Sequence, residues 1–456
     1  MTRTFRALVP LLLASALAGC STVRPWVNRP AGPQVLEAVA HTAPQPQRGS
    51  VVAAVTFSGG GARAAAFGLG VLRGLKATSI DWEGNRGSLL DTVGLVSGVS
   101  GGSILAAYYA AFGDQVFTRF EPEFLNAEFQ DRLLTQAMMP ATLWDLSSPW
   151  YGRGHVLAKN LDHLFQGRRF ADVAARPGAP LLVVSATDLT TGAPFEFTYE
   201  QMALLCSDLS EVPLSFAVAA SAAVPLLLSP LTLRNHADQC RATTAPPMVA
   251  ANSSDNFRAR MFRLSAESYR DAQLRPYVHL VDGGVSDNLG LRPLLDRVIV
   301  DGSLERAFRD APRGSIRRIV LFVVNAERGL GERVDRSDQV PDTLQVLDTL
   351  IFGAGSRETQ VTLALLRDDL QRWSQELATL RGQEASPFAP DAQVHLIGIN
   401  LDDTGDPSLA QIPTAFTISP EETKRLTDSG EQALRRSSQF EALLQSLRPT
   451  ERPASR

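Results

Sequence analysis

Apolar positions along this chain fall into two alternating textures. Residues 51–57, 92–97, 180–187, 277–281, 318–325 and 393–399 are short runs rich in Val, Leu and Ile, with the length of buried strands. Residues 64–76, 104–111, 363–380 and 420–447 have helical composition. The last begins Ser419-Pro420-Glu421-Glu422, with a capping hydroxyl, a proline in the first turn and early acids. Strand and helix alternate. That order predicts an α/β fold, a mainly parallel central sheet covered by helices.

The amino-terminal stretch departs from this pattern. Arg3 and Arg6 precede an apolar run, residues 7–19, that closes as Leu17-Ala18-Gly19-Cys20. A basic start, an apolar stretch of this length and small closing residues predict a secretory signal, not a membrane-spanning helix. The cysteine after them resembles a bacterial lipobox, which implies that residues 1–19 are removed and Cys20 carries lipid. Ser21 after that cysteine resembles the pattern sent to the outer membrane. The expected location is therefore the cell envelope, facing the periplasm or the surface. Residues 20–50, rich in Pro, Ala, Gln and Arg, are expected as a flexible tether to a body spanning 51–448. No composition break inside that body marks a second domain.

Composition removes several function classes. The 456 residues are 44% hydrophobic and 20% charged with net charge -4, so no basic field favours nucleic acid. The six histidines are dispersed, the cysteines lack paired spacing, and no calcium loop occurs, so neither metal nor cofactor is expected. With Cys20 assigned to lipid, Cys206 and Cys240 remain. In an oxidising compartment they are expected to form one disulfide, the alternative being two buried thiols.

Three motifs carry candidate chemistry. Phe57-Ser58-Gly59-Gly60-Gly61-Ala62-Arg63 joins a predicted strand to a predicted helix. Glycines let the backbone approach a ligand, and free N–H groups at a helix start can face negative charge. Such a loop serves as an oxyanion hole or as a phosphate cradle. Gly59-x-Gly61-x-x-Ala64, with Asp81 downstream, also fits a dinucleotide fingerprint. Gly98-Val99-Ser100-Gly101-Gly102 again sits at a strand-to-helix junction. Gly98 and Gly102 flank Ser100 as a nucleophile elbow requires, because side chains there would clash with the turn. Asp282-Gly283-Gly284 ends the run at 277–281, where a carboxylate can reach across the top of a sheet.

A serine hydroxyl needs a base. His279 lies three residues before Asp282, so strand alternation puts the two side chains on opposite faces. Chain order alone would allow a triad through His395, but a Ser100–Asp282 dyad is more economical.

Taken in order, these three motifs resemble the patatin-like phospholipase family. The resemblance extends through Ala186-Thr187-Asp188-Leu189-Thr190-Thr191-Gly192 and Ala220-Ser221-Ala222-Ala223-Val224-Pro225, and covers residues 51–290. It implies a three-layer architecture with a nucleophile elbow, completed by 291–448. It further implies that Ser100 attacks an ester carbonyl, Asp282 takes its proton, and the loop at Gly59, Gly60, Gly61 and Ala62 holds the oxyanion with Arg63 beside it. Ala64 departs from the family's usual glycine and adds one methyl at the helix start. The implied substrate is membrane phospholipid or lysophospholipid. Residues 220–233 would line an acyl channel or pack as core, and Met138, Met139, Trp144, Trp150 and Tyr151 would meet a lipid interface or bury as a lid. Alternative readings are an acyltransferase or non-lipid esterase with the same dyad, a nucleotide- or phosphate-binding lipoprotein, and an envelope-assembly lipoprotein with a degenerate site.

Overall fold

In the computed structural model, which describes residues 21–32, 50–83, 85–240, 257–327, 338–341 and 354–448, strand β1 (Val51–Phe57) lies inside an eight-stranded sheet. Its residues alternate between two apolar clusters. Val51, Ala53, Val55 and Phe57 enter one; Val52 and Ala54 pack against the other. A strand covered on both faces is a near-continuous apolar run, and 51–57 reads so apart from the buried Thr56. The other strands are β2 (Ser79–Trp82) and β3 (Asn85–Ser88), which form a separate hairpin, then β4 (Val93–Val99), β5 (Leu181–Asp188), β6 (Pro194–Glu196), β7 (Leu231–Arg234), β8 (Tyr277–Asp282), β9 (Ile316–Asn325) and β10 (Phe388–Asn400).

The sheet runs β10-β9-β1-β4-β5-β8-β7, with β6 paired to β5. From β10 to β5 every pairing is parallel, while β6, β7 and β8 are antiparallel additions. The covering helices are α1 (Gly61–Ala77), α2 (Gly101–Phe112), α3 (Phe129–Ala137), α4 (Pro140–Asp145), α5 (Arg153–Phe165), α6 (Leu214–Ser221), α7 (Arg292–Asp301), α8 (Ala354–Leu380), α9 (Pro420–Arg436) and α10 (Ser438–Ser446). Residues of α1, α2, α5, α6, α9 and α10 fill the first cluster, and those of α7 and α8 the second. The result is three layers, helix on sheet on helix. Among the described residues no helix is long and apolar enough to cross a membrane.

The carboxy-terminal third belongs to the same sheet, because all of β1, Val51–Phe57, pairs with Arg318–Val324 of β9. The helix expected over 420–447 is two helices. Ser437 ends α9 and caps α10, its hydroxyl accepting the Phe440 N–H at 3.3 Å. Helix α9 lies against α1 through glycines. A Cβ on Gly70 would sit 1.9 Å from the Thr427 carbonyl oxygen, and one on Gly430 2.2 Å from that of Phe67.

Residues 1–20 and 33–49, including Cys20 and most of the expected tether, lie outside the described residues. Residues 21–32 do not run free as a tether would. Asn28 is buried, donating to Ser207 Oγ at 2.8 Å and the Arg234 carbonyl at 2.7 Å, and accepting from the Arg234 N–H at 3.0 Å. Ala31 N–H donates to the Cys206 carbonyl, and Trp26 packs on Tyr277. This strap is held by backbone pairing and a few polar anchors, which need no apolar periodicity.

Candidate active site

The turn after β4 places Ser100 at φ 50°, ψ -122°, a conformation costly for a residue with a Cβ, by about 1–3 kcal/mol. Its neighbours make the turn possible. A Cβ on Gly98 would lie 2.6 Å from Ser103 Cα, and one on Gly102 2.5 Å from the Ser58 carbonyl oxygen. Bonds on either side hold the strained residue. Ser100 N–H donates to Ser221 Oγ at 2.8 Å, Ser221 Oγ donates to the Ser185 carbonyl at 2.6 Å, and Ser103 Oγ donates to the Ser100 carbonyl at 2.6 Å. Strain maintained by such a surround is typical of functional turns.

Strand register brings Asp282 to the same row. Val99 pairs with Ser185, and the next residue of β5, Ala186, pairs with Asp282. Gly283 must be glycine here, since a Cβ would stand 2.2 Å from the Ser185 carbonyl oxygen. Asp282 is 4% exposed. Its Oδ1 accepts the Gly284 N–H at 2.8 Å, while Oδ2 has no hydrogen-bond partner among the described residues. Burial pushes its pKa up to about 6; the Gly284 N–H and the nearby Ser100 hydroxyl partly offset this. Strand register sets Ser100, the residue after Val99, on the row that ends at Asp282, with no hydrogen bond to Asp282 Oδ2 among the described residues.

The glycine loop packs against this pair. A Cβ on Gly59 would lie 3.5 Å from Ser100 Cβ, and one on Gly101 2.0 Å from the Gly61 carbonyl oxygen. Its backbone donors divide into two groups. Ser58, Gly59 and Ala62 N–H are spent on the carbonyls of Val324, Asn288 and Ala415. Among the described residues no acceptor meets the N–H of Gly60 or Gly61, the residues at the start of α1. Two free donors at a helix start beside a serine can hold a developing oxyanion. Gly59 and Ala62 are scaffold. Arg63, expected beside the site, has its guanidinium turned to the carboxy-terminal segment, donating to the carbonyls of Ala326 at 3.1 Å and Ile412 at 2.6 Å. A buried cation satisfied by carbonyls clamps the loop from below.

Neither histidine forms a triad. His279 points outward and pairs with Thr232 Oγ1 at 2.8 Å. His395 lies in β10, three strands from β4, close to Ser446. Asp81, the acid that a ribose contact would need, instead pairs with Arg86 across the β2–β3 hairpin. Cys206 and Cys240 are bridged, with Cα atoms 5.7 Å apart. Of residues 220–233, the start packs as core while Leu226 and Leu227 are exposed. Trp144 and Trp150 are also exposed, so this stretch does not bury as a lid. Among the described residues no group of three or more His, Cys, Asp or Glu could hold a metal.

Two contributors escaped the sequence reading. Ser221, noted only as part of a segment lining the site, is the acceptor that fixes the elbow. Asn288 braces two motifs at once: its carbonyl takes the Gly59 N–H, and its Oδ1 lies where a Cβ on Gly59 or Gly284 would fall, 2.3 and 2.9 Å away. Both signals were an ordinary polar residue near a motif, with nothing local to mark the contact.

Residues 55–295 match the family model of the patatin-like phospholipases, more than half of the chain. No curated protein matches it significantly. Among solved structures, a human GIVD cytosolic phospholipase A2 is similar at TM-score 0.47 and 14% identity, covering 91% of this chain and 64% of its own. VipD from Legionella pneumophila is similar at TM-score 0.33 and 11% identity, covering 95% of this chain and 72% of its own. The chain therefore spans less than two thirds of the human protein's length.

Proposed function

The chain belongs to the patatin-like phospholipase family, a family of lipid acyl hydrolases, and on that premise we propose that it cleaves carboxylic esters of phospholipids or lysophospholipids through Ser100 and Asp282. The observation that carries this reading is the unpartnered Asp282 Oδ2 beside the strained Ser100. In the acylation step Ser100 Oγ attacks the ester carbonyl carbon and its proton passes to Asp282. The carbonyl oxygen becomes an oxyanion facing the Gly60 and Gly61 N–H groups, each such donor contributing about 3 kcal/mol to the transition state. Collapse expels the lipid alcohol, which takes the proton back from Asp282. Asp282 then deprotonates a water that attacks the acyl carbon, and collapse of the adduct releases the fatty acid while Ser100 Oγ takes the proton back from Asp282.

The test is release of fatty acid from phosphatidylglycerol or lysophosphatidylcholine in mixed micelles, with the products identified. Ser100→Ala and Asp282→Asn should each lower turnover by about a thousandfold or more and leave the circular dichroism spectrum intact. Activity retained in either would remove the dyad. We also place lipid on Cys20, on the strength of the Leu17-Ala18-Gly19-Cys20 sequence. Labelling by radioactive palmitate in a bacterial host should vanish in Cys20→Ala; labelling that persists would move the anchor elsewhere.

A further inference from the structure

Several large apolar side chains are exposed on one continuous stretch of surface. Met138 is 72% exposed, Met139 52%, Leu143 49%, Trp144 53% and Trp150 39%, on and around α4, and Leu227, on the loop after α6, is 57% exposed. Contacts tie these segments together. Arg153, at the start of α5, donates to the Leu226 carbonyl at 2.7 Å, and Gly154 N–H donates to Ser229 Oγ at 2.9 Å. The loop carrying Leu227 is also the chain that leaves the site, since Asp282 N–H donates to the Ala223 carbonyl at 2.9 Å. The apolar surface therefore begins within a few residues of the catalytic row. Soluble monomers rarely expose such a patch without a partner for it.

The docked strap says which partner. Ser21 N–H donates to Ser147 Oγ at 2.9 Å, and Ser147 Oγ donates to the Trp144 carbonyl at 2.6 Å. Ser148 Oγ donates to the Val23 carbonyl at 2.8 Å, and the Arg24 guanidinium stacks 4.6 Å from the Trp150 ring centroid. The chain thus enters the body beside the two exposed tryptophans, and Cys20 is bonded directly to Ser21. We propose that the Met138–Trp150 surface together with Leu227 is a bilayer-docking face, and that the 21–32 strap fixes the anchor point in the plane of that face. The choice of a bilayer as occupant rests on the lipid-ester reading. Tryptophan, methionine and leucine beside an arginine suit the boundary between headgroups and acyl chains. A rigid strap, unlike a loose tether, would present one side of the enzyme to the membrane and hold the Ser100 entrance against it.

The probe is the full chain added to vesicles of phosphatidylethanolamine and phosphatidylglycerol doped with brominated phosphatidylcholine, which quenches tryptophans inserted at the acyl boundary. Quenching should occur in the wild type and be lost from Trp144→Phe/Trp150→Phe, although the other three of the five tryptophans remain. Leu143→Asp/Met138→Asp should lower hydrolysis of a vesicle-borne ester by about tenfold or more and leave a soluble short-chain ester within about twofold. Protein that co-sediments with vesicles but shows no quenching overturns the face while leaving the anchor. Quenching unchanged in the double Phe variant also overturns it. Unquenched tryptophans with a dimer that Leu143→Asp dissolves would assign the surface to a second copy. Absence of hydrolysis of either ester by the wild type would count against the hydrolase reading alone, since quenching is read without turnover.

Discussion

At the scale of single residues, the site concentrates its cost in two places, the backbone of Ser100 and the carboxyl of Asp282. The folded protein holds a proton on Asp282 up to about pH 6, against an ordinary value of 3.8. The folded state therefore binds that proton more tightly than the unfolded chain does. The wild type keeps this part of its stability below the ordinary value and loses it as pH rises through about 6. Two units correspond to about 3 kcal/mol. Asp282→Asn cannot ionise and can keep the Gly284 N–H through its own Oδ1. It should be more stable than wild type by up to about 3 kcal/mol above about pH 7, with the difference gone below about pH 4. Urea denaturation across that range measures it, and a variant less stable at neutral pH would refute the buried, uncompensated carboxylate. A functional group that destabilises its own fold is the expected trade between activity and stability.

At the scale of elements, the crossing of α1 and α9 sets the glycine loop, because α1 begins at Gly61 and its far side is wedged against α9. Gly70→Ala places a methyl where the Thr427 carbonyl already stands, so the helices must part. The expected loss is about 1–3 kcal/mol, read as a lowered Tm, and an unchanged Tm would mean the helices move apart freely. How much of this was legible differs by element. The strands at 51–57 and 318–325 are visible because both faces are covered and nearly every position between Val51 and Phe57 and between Ile319 and Val324 is apolar. The three glycine-bearing motifs are visible because steric demand writes glycine into the sequence beside the elbow and the Asp282 turn. The division of 420–447 was missed because Ser437 caps a new helix without interrupting the helical composition. The role of Arg63 was missed because its acceptors, Ala326 and Ile412, are over 260 residues away. The strap at 21–32 has the composition of a tether because backbone pairing leaves no pattern in side-chain polarity.

At the scale of the whole molecule, the site is a meeting point of distant segments. Ser100 comes from the end of β4, Asp282 from β8, Ser221 from α6, and the glycine loop is pinned by Val324, Ala326 and Ala415 beyond the region that carries the motifs. The last third of the chain completes the sheet, as its strand-like runs imply, with two strands, and it also supplies acceptors under the glycine loop, which nothing in its sequence marks. Order of motifs revealed which residues would meet; it carried no information about what would hold them there. The most direct test of the central claim is the rate at which a fluorophosphonate modifies the detergent-solubilised full chain, with the modified residue mapped by mass spectrometry. Modification should fall on Ser100 alone, at a rate that rises through about pH 6 as Asp282 ionises and drops by about a hundredfold or more in Asp282→Asn. Modification at another residue, or an Asp282→Asn variant that reacts at the wild-type rate, would contradict that claim.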